Sequence, residues 1–186
     1  MKPYHVLPCS NLKKIQEEVI RWIEKKNPSI FTSKSLWNKI DTIELIKSSP
    51  SLKNYFQTLN LKIRECALTL ITEYKDPVLH IDELPVTAKI NIPILNTKHS
   101  LNRWYNIPDW LLSSTSPISN KFGKKYYQFD NVDYKKLNLL GEIELLEPIV
   151  FNSQLAHNIV LSKQSIFPRI VLATTFFKEP INYLKE

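Results

Sequence analysis

Cysteine and glycine are nearly absent, with two of each in 186 residues. Cys9 and Cys66 lie far apart in the chain, so neither a CxxC zinc cluster nor a disulfide framework can be built, and both read as free thiols. With so little glycine, the turns must rely on Asn, Asp, Ser and the 12 prolines. No apolar run is long enough to cross a bilayer. The opening "MKPYHVLPCSNLKK" places prolines and polar residues where a signal peptide would need an apolar stretch. The expectation is a cytoplasmic protein with no membrane partner. Internal repeats and low-complexity segments are also missing.

Arginine is scarce too: 4 residues against 21 lysines, within a net charge of +7. The lysines are scattered among many Ile and Asn residues, as AT-rich coding gives. Without arginine readers or aromatic stacking platforms, the charge does not point to nucleic acid. It does remain compatible with a negatively charged co-substrate.

What is present fits a folded chain, with 43% hydrophobic and 23% charged residues. The length suits one domain, residues 1–186, with a single sizeable core. Leu12, Ile15, Val19, Trp22 and Ile23 recur at helical spacing between Asn11 and Lys26, after a possible Ser10 cap. Asp41 with Glu44 resembles a capping box opening a short second helix. Pro50 sits near the start of a third, which carries Leu52, Tyr55, Phe56 and Leu59 on one side. Residues 1–59 are therefore expected to be mainly helical.

After that the period changes to two. "LKIRECALTLITEY" alternates, and "VTAKINIPILNT" sets Ala88, Ile90, Ile92 and Ile94 on one face with Lys89, Asn91 and Pro93 on the other. The later segments "KKYYQF", "LGEIELLEPIVFN", "AHNIVLS" and "PRIVLATTFF" are short, apolar and divided by turn residues, which suits a β-sandwich or barrel. The fold class expected is mainly β with N-terminal helices (α+β), its β core spanning residues 60–178. Residues 98–123, rich in aromatics, Ser and Asn, are expected to form one long loop, a lid or binding segment.

At the edge of the strand "VLHI" stand His80 and Asp82. Residues two apart on a strand point to the same side of a sheet, so the pair can offer a nitrogen and an oxygen to one ion. A further imidazole would complete the two-histidine, one-carboxylate set of non-haem Fe(II) oxygenases. His157 is the best candidate, because "EPIVFNSQLAHNIVL" reads as a strand, a turn and a second strand carrying the histidine. His5 lies near a terminus and His99 in the expected loop; both are weaker choices. Arg169 opens the apolar strand "RIVLATTFF". A buried guanidinium there would grip a carboxylate at two points, for example the far end of a dicarboxylate co-substrate.

Taken together, "LHIDE", "AKINIPILNT" followed by a tryptophan, "IVFNSQLAHNIVL" and "PRIVLATTF" resemble the Fe(II)- and 2-oxoglutarate-dependent oxygenase superfamily, in particular its aspartyl/asparaginyl or prolyl hydroxylase-like members. The resemblance covers about residues 60 to 178. It implies a double-stranded β-helix (jelly-roll, cupin-like) core. It implies His80, Asp82 and His157 as iron ligands, Arg169 on the distal carboxylate of 2-oxoglutarate, and dioxygen as the oxidant. The implied reaction decarboxylates 2-oxoglutarate to succinate and ends most often in hydroxylation of a small-molecule or peptide substrate. The segment "SKQSIFP" makes the interval from His157 to Arg169 slightly long for the family. Other readings are a cupin-like metal enzyme without 2-oxoglutarate and a non-catalytic jelly-roll binding module. Trp104 and Tyr105 are expected to staple the long loop to the barrel, and Asn91 and Asn96 to act as turn formers.

Overall fold

The computed structural model describes residues 1–82, 86–119, 123 and 125–185. Glu83 of the quoted "LHIDE", Lys124 of "KKYYQF" and part of the expected 98–123 loop lie outside them.

The N-terminal third holds strand β1 (Tyr4–Val6), helix α1 (Leu12–Lys26), strand β2 (Trp37–Lys39), and helices α2 (Thr42–Ser48) and α3 (Pro50–Thr58). The expected helices are present, together with two short strands too brief to show a period. The helix starts differ in detail from their sequence signals. Asn11, not Ser10, occupies the cap of α1, and its side chain makes no capping bond. Asp41 does accept from the Glu44 amide. The Glu44 carboxylate, however, reaches Lys26 on α1 at 2.7 Å instead of closing the box.

Ten further strands follow, interrupted by one helix: β3 (Ile63–Ile71), β4 (Leu79–Ile81), β5 (Ala88–Leu95), β6 (Ser100–Asn106), α4 (Asp109–Ser114), β7 (Ile118–Ser119), β8 (Lys125–Phe129), β9 (Asn138–Glu144), β10 (Ile149–Asn152), β11 (Ala156–Leu161) and β12 (Arg169–Phe176). With β1 and β2 they form two antiparallel six-stranded sheets, ordered β1-β10-β5-β12-β3-β2 and β7-β8-β4-β11-β6-β9, an arrangement compatible with a jelly roll.

The stretch 98–123 is not one long loop. It contains β6, an interior strand of the second sheet paired to β11 and β9, and then α4 and β7. The row that β6 turns toward the other sheet is Ser100, Asn102 and Trp104, all buried. A row so mixed in polarity gives no apolar alternation to read.

The alternation of β5 sorts the layers. Ala88, Ile90, Ile92 and Ile94 pack with Ile15, Val19, Trp22, Leu52 and Phe56 of the helices, forming the largest apolar cluster on the outer face of the first sheet. Full burial of each such side chain stabilises by roughly 1.5–3 kcal/mol. The outer face of the second sheet buries Leu79, Ile81, Tyr105 and Phe129 under Leu111 of α4. Between the sheets lies a smaller apolar cluster of Trp104, Leu145, Ile149, Phe151 and Val171. Because successive strand residues alternate faces, Lys89, Asn91 and Arg169 point into that inter-sheet space. It is therefore a part-polar interior flanked by two apolar layers.

Candidate metal centre

β4 is only three residues long, with β8 on one side and β11 on the other. His80 and His157 are direct register partners across β4 and β11, and antiparallel partners share a face. Their ring centroids are 4.3 Å apart. Asp82 follows two residues after His80. Its amide donates to the Ser153 carbonyl at 3.1 Å, and Ser153 is itself held by its hydroxyl to the Val86 carbonyl.

His80, Asp82 and His157 thus converge, with one donor atom from each lying within 4.8 Å of the others. His80 Nε2 is 3.8 Å from Asp82 Oδ1, and His157 Nε2 is 3.7 Å from Asp82 Oδ2. On both rings the other nitrogen is committed. His157 Nδ1 lies 2.8 Å from the Leu155 carbonyl and His80 Nδ1 3.1 Å from that of Val78. A carbonyl only accepts, so Nδ1 carries the proton in each ring and the Nε2 lone pair is free to face Asp82.

Electrostatics favours these forms. Burial, helped by the neighbouring His80, pushes the His157 pKa down to about 4, so the ring is neutral at pH 7. Burial opposes the charged form of Asp82, but Lys89 first, and the two imidazoles after it, outweigh that and hold the carboxyl well below its usual range. Two imidazole nitrogens beside a carboxylate are a donor set suited to iron rather than to a thiolate-loving metal. Phe151 packs edge-on against His157 with centroids 5.4 Å apart, closing one side of the group.

Arg169 does not touch this trio. It is 1% exposed and its Nε donates to Ser100 Oγ at 2.8 Å. Ser100 begins β6, while His157 pairs with Trp104 four residues further along that strand, a backbone separation of roughly 13 Å. Burial lowers the Arg169 pKa to about 10, which leaves it charged at neutral pH.

Polar atoms line the interval between the two. Asn91 Oδ1, Asn102 Nδ2, Trp104 Nε1 and Arg169 Nη2 are buried with no hydrogen-bond partner among the described residues. An unpaired buried polar atom costs about 1–3 kcal/mol, so four around one interior mark a space shaped for a polar occupant. Asn91 lies inside β5 on its polar face, not at a turn as expected, and alternation alone does not say which face looks inward. The remaining candidates fall elsewhere. His5 stacks on Tyr183, and His99 lies 3.9 Å from Glu144. Asn96 adopts a positive φ of 52° and donates to the Pro168 carbonyl, a turn former as expected. Trp104 and Tyr105 are buried strand residues, not staples of a loop. Among the described residues, no helix is long and apolar enough to cross a membrane.

No family model and no curated protein matches the sequence. Solved structures do match the fold. HygX from Streptomyces hygroscopicus, with nickel and 2-oxoglutarate bound, is similar at a TM-score of 0.55 and 11% identity, over 93% of this chain and 81% of that one. The non-haem α-ketoglutarate-dependent epimerase SnoN from nogalamycin biosynthesis is similar at a TM-score of 0.51 and 10% identity, over 95% of this chain and 78% of that one. At such identity the likeness is one of architecture alone: the chain shares the fold of these two solved structures.

Proposed function

We propose that this protein is a non-haem Fe(II)- and 2-oxoglutarate-dependent oxygenase that hydroxylates a small-molecule or peptide substrate. The observation that carries the reading is the convergence of His80, Asp82 and His157 at one end of a polar interior whose other end is the buried Arg169. The strand order supports it. β3, β12, β5 and β10 lie side by side in one sheet and β4, β11, β6 and β9 in the other, an order that fits the double-stranded β-helix expected of such an enzyme. The two relatives by fold, one with 2-oxoglutarate bound and one dependent on it, support the same reading.

His80 Nε2, His157 Nε2 and one oxygen of Asp82 would hold the iron, with each ring kept in the required tautomer by its own strand's carbonyl. Arg169 would receive the distal carboxylate of 2-oxoglutarate through its unpaired Nη2, while Ser100 fixes the guanidinium plane. When bound, iron with 2-oxoglutarate and dioxygen supplies the oxidising power for attack on a substrate C–H bond, releasing succinate and carbon dioxide. The chain's own share is positioning and the exclusion of water by the apolar layers on either side of the interior.

The test is succinate release from 2-oxoglutarate with Fe(II) under air, screened over amino acids, peptides, nucleobases and small metabolites. Fe(II)-dependent release that disappears in His157→Ala and in Asp82→Ala, both still folded, is the expected result. Equal release in all three proteins would rule the assignment out.

A further inference from the structure

We infer that Lys89 is a positioning residue of this centre: it holds Oδ2 of Asp82 and so leaves Oδ1 as the one free carboxylate donor. The inference rests on the metal centre proposed above and concerns a residue that the two-histidine, one-carboxylate pattern does not include.

Lys89 Nζ lies 3.0 Å from Asp82 Oδ2, and its side chain is 5% exposed. A lysine ammonium is rarely buried so completely unless it is paired. The pairing is rigid. Lys89 sits inside β5, where Phe151 of β10 is its register partner, and the same Phe151 packs on the His157 ring. The ammonium also lies over the Trp37 ring, 5.7 Å from its centroid. One end of β5 is fixed as well, because the amides of Thr87 and Ala88 both donate to Glu179 Oε2. Glu179 is thus committed to the backbone, which leaves Asp82 as the ion-pair partner of Lys89 among the described residues.

Two physical consequences follow. A carboxylate with one oxygen bound to a buried ammonium presents its other oxygen alone, so Asp82 occupies one coordination position instead of two. Positions are thereby kept open for a co-substrate that takes two of them. A fixed positive charge beside the centre also repels a divalent cation, more strongly in a buried setting than in water. Lys89 therefore lowers metal affinity while preserving the open positions.

The experiment titrates Co(II), a spectroscopic stand-in for Fe(II), into the full-length protein and into Lys89→Met and Lys89→Gln variants, reading the dissociation constant and the visible absorption. Lys89→Met should bind Co(II) at least tenfold more tightly, with an altered spectrum as Asp82 brings its second oxygen to the ion. Lys89→Gln keeps a donor to Oδ2 without the charge; it should bind more tightly and retain the wild-type spectrum. Should the methionine variant fail to fold, the affinity of the glutamine variant decides alone. A dissociation constant unchanged or raised in the folded variants, with metal still bound, overturns the role of Lys89 only. Absence of Co(II) uptake by the wild-type protein overturns the metal centre, and this inference with it.

Discussion

His80 and His157 face each other as direct partners across β4 and β11, and each ring donates Nδ1–H to the carbonyl of the residue two before it. Two residues 77 positions apart are thus oriented by the same local device. The device works because strand geometry puts residue i−2 on the ring's own face. It aims both Nε2 lone pairs at Asp82, so the proposed metal centre would need little rearrangement to bind an ion.

Arg169 is assigned the far end of the interior. Arg169→Ala should raise the apparent Michaelis constant for 2-oxoglutarate about tenfold or more, because a charge-assisted bidentate pair is worth roughly 1.5–3 kcal/mol. Arg169→Lys should fall between the two, since an ammonium cannot reproduce the planar fork. Steady-state succinate production checks this, and an unaltered constant in Arg169→Ala would move the role to another residue.

Acid should weaken the protein in a defined window when metal is removed by a chelator. Burial holds the His157 pKa at about 4 against an ordinary 6.5, so between those values the unfolded chain binds more protons and stability falls as pH drops. The full effect approaches about 3 kcal/mol. The Asp82 carboxyl, held below its usual range chiefly by Lys89 against the cost of burial, adds a further loss only below its ordinary 3.8. Urea midpoints at pH 7, 5.5 and 4.5 should decline in the wild-type protein and decline less in His157→Gln.

Glu18 on α1 ties that helix to the start of α3. Its carboxylate accepts from the Ser51 amide at 2.9 Å and the Ser51 hydroxyl at 2.8 Å, in a buried setting. The amide is one of the donors left without an intrahelical partner at a helix start. Glu18→Ala should lower unfolding stability by about 1–3 kcal/mol, measurable by urea denaturation. The Michaelis constant for 2-oxoglutarate should stay unchanged, since the inter-sheet space lies on the other side of the first sheet.

Much of this was readable in the chain. The period of α1, the alternation of β5 and the strand–turn–strand around His157 all rest on local spacing of apolar side chains. So did the expectation that His80 and Asp82 share a face. Where apolar spacing carried no information, the reading failed. β6 turns Ser100, Asn102 and Trp104 inward and therefore looked like loop. "LGEIELLEPIVFN" reads as one apolar segment, yet it breaks at residues 145–148 and its halves, β9 and β10, join different sheets. Lys89 and Asn91 stood on the polar face of β5. Only the burial of its apolar face under the helices shows that this polar face looks into the site.

The most direct measurement is anaerobic addition of Fe(II) and then 2-oxoglutarate to the wild-type protein and to His157→Ala, followed by visible absorption. A weak charge-transfer band that saturates at one iron per chain in the wild-type protein, and is missing in the folded variant, is the predicted result. No band in the wild-type protein, or the same band in both, would contradict a ferrous ion held between His80, Asp82 and His157.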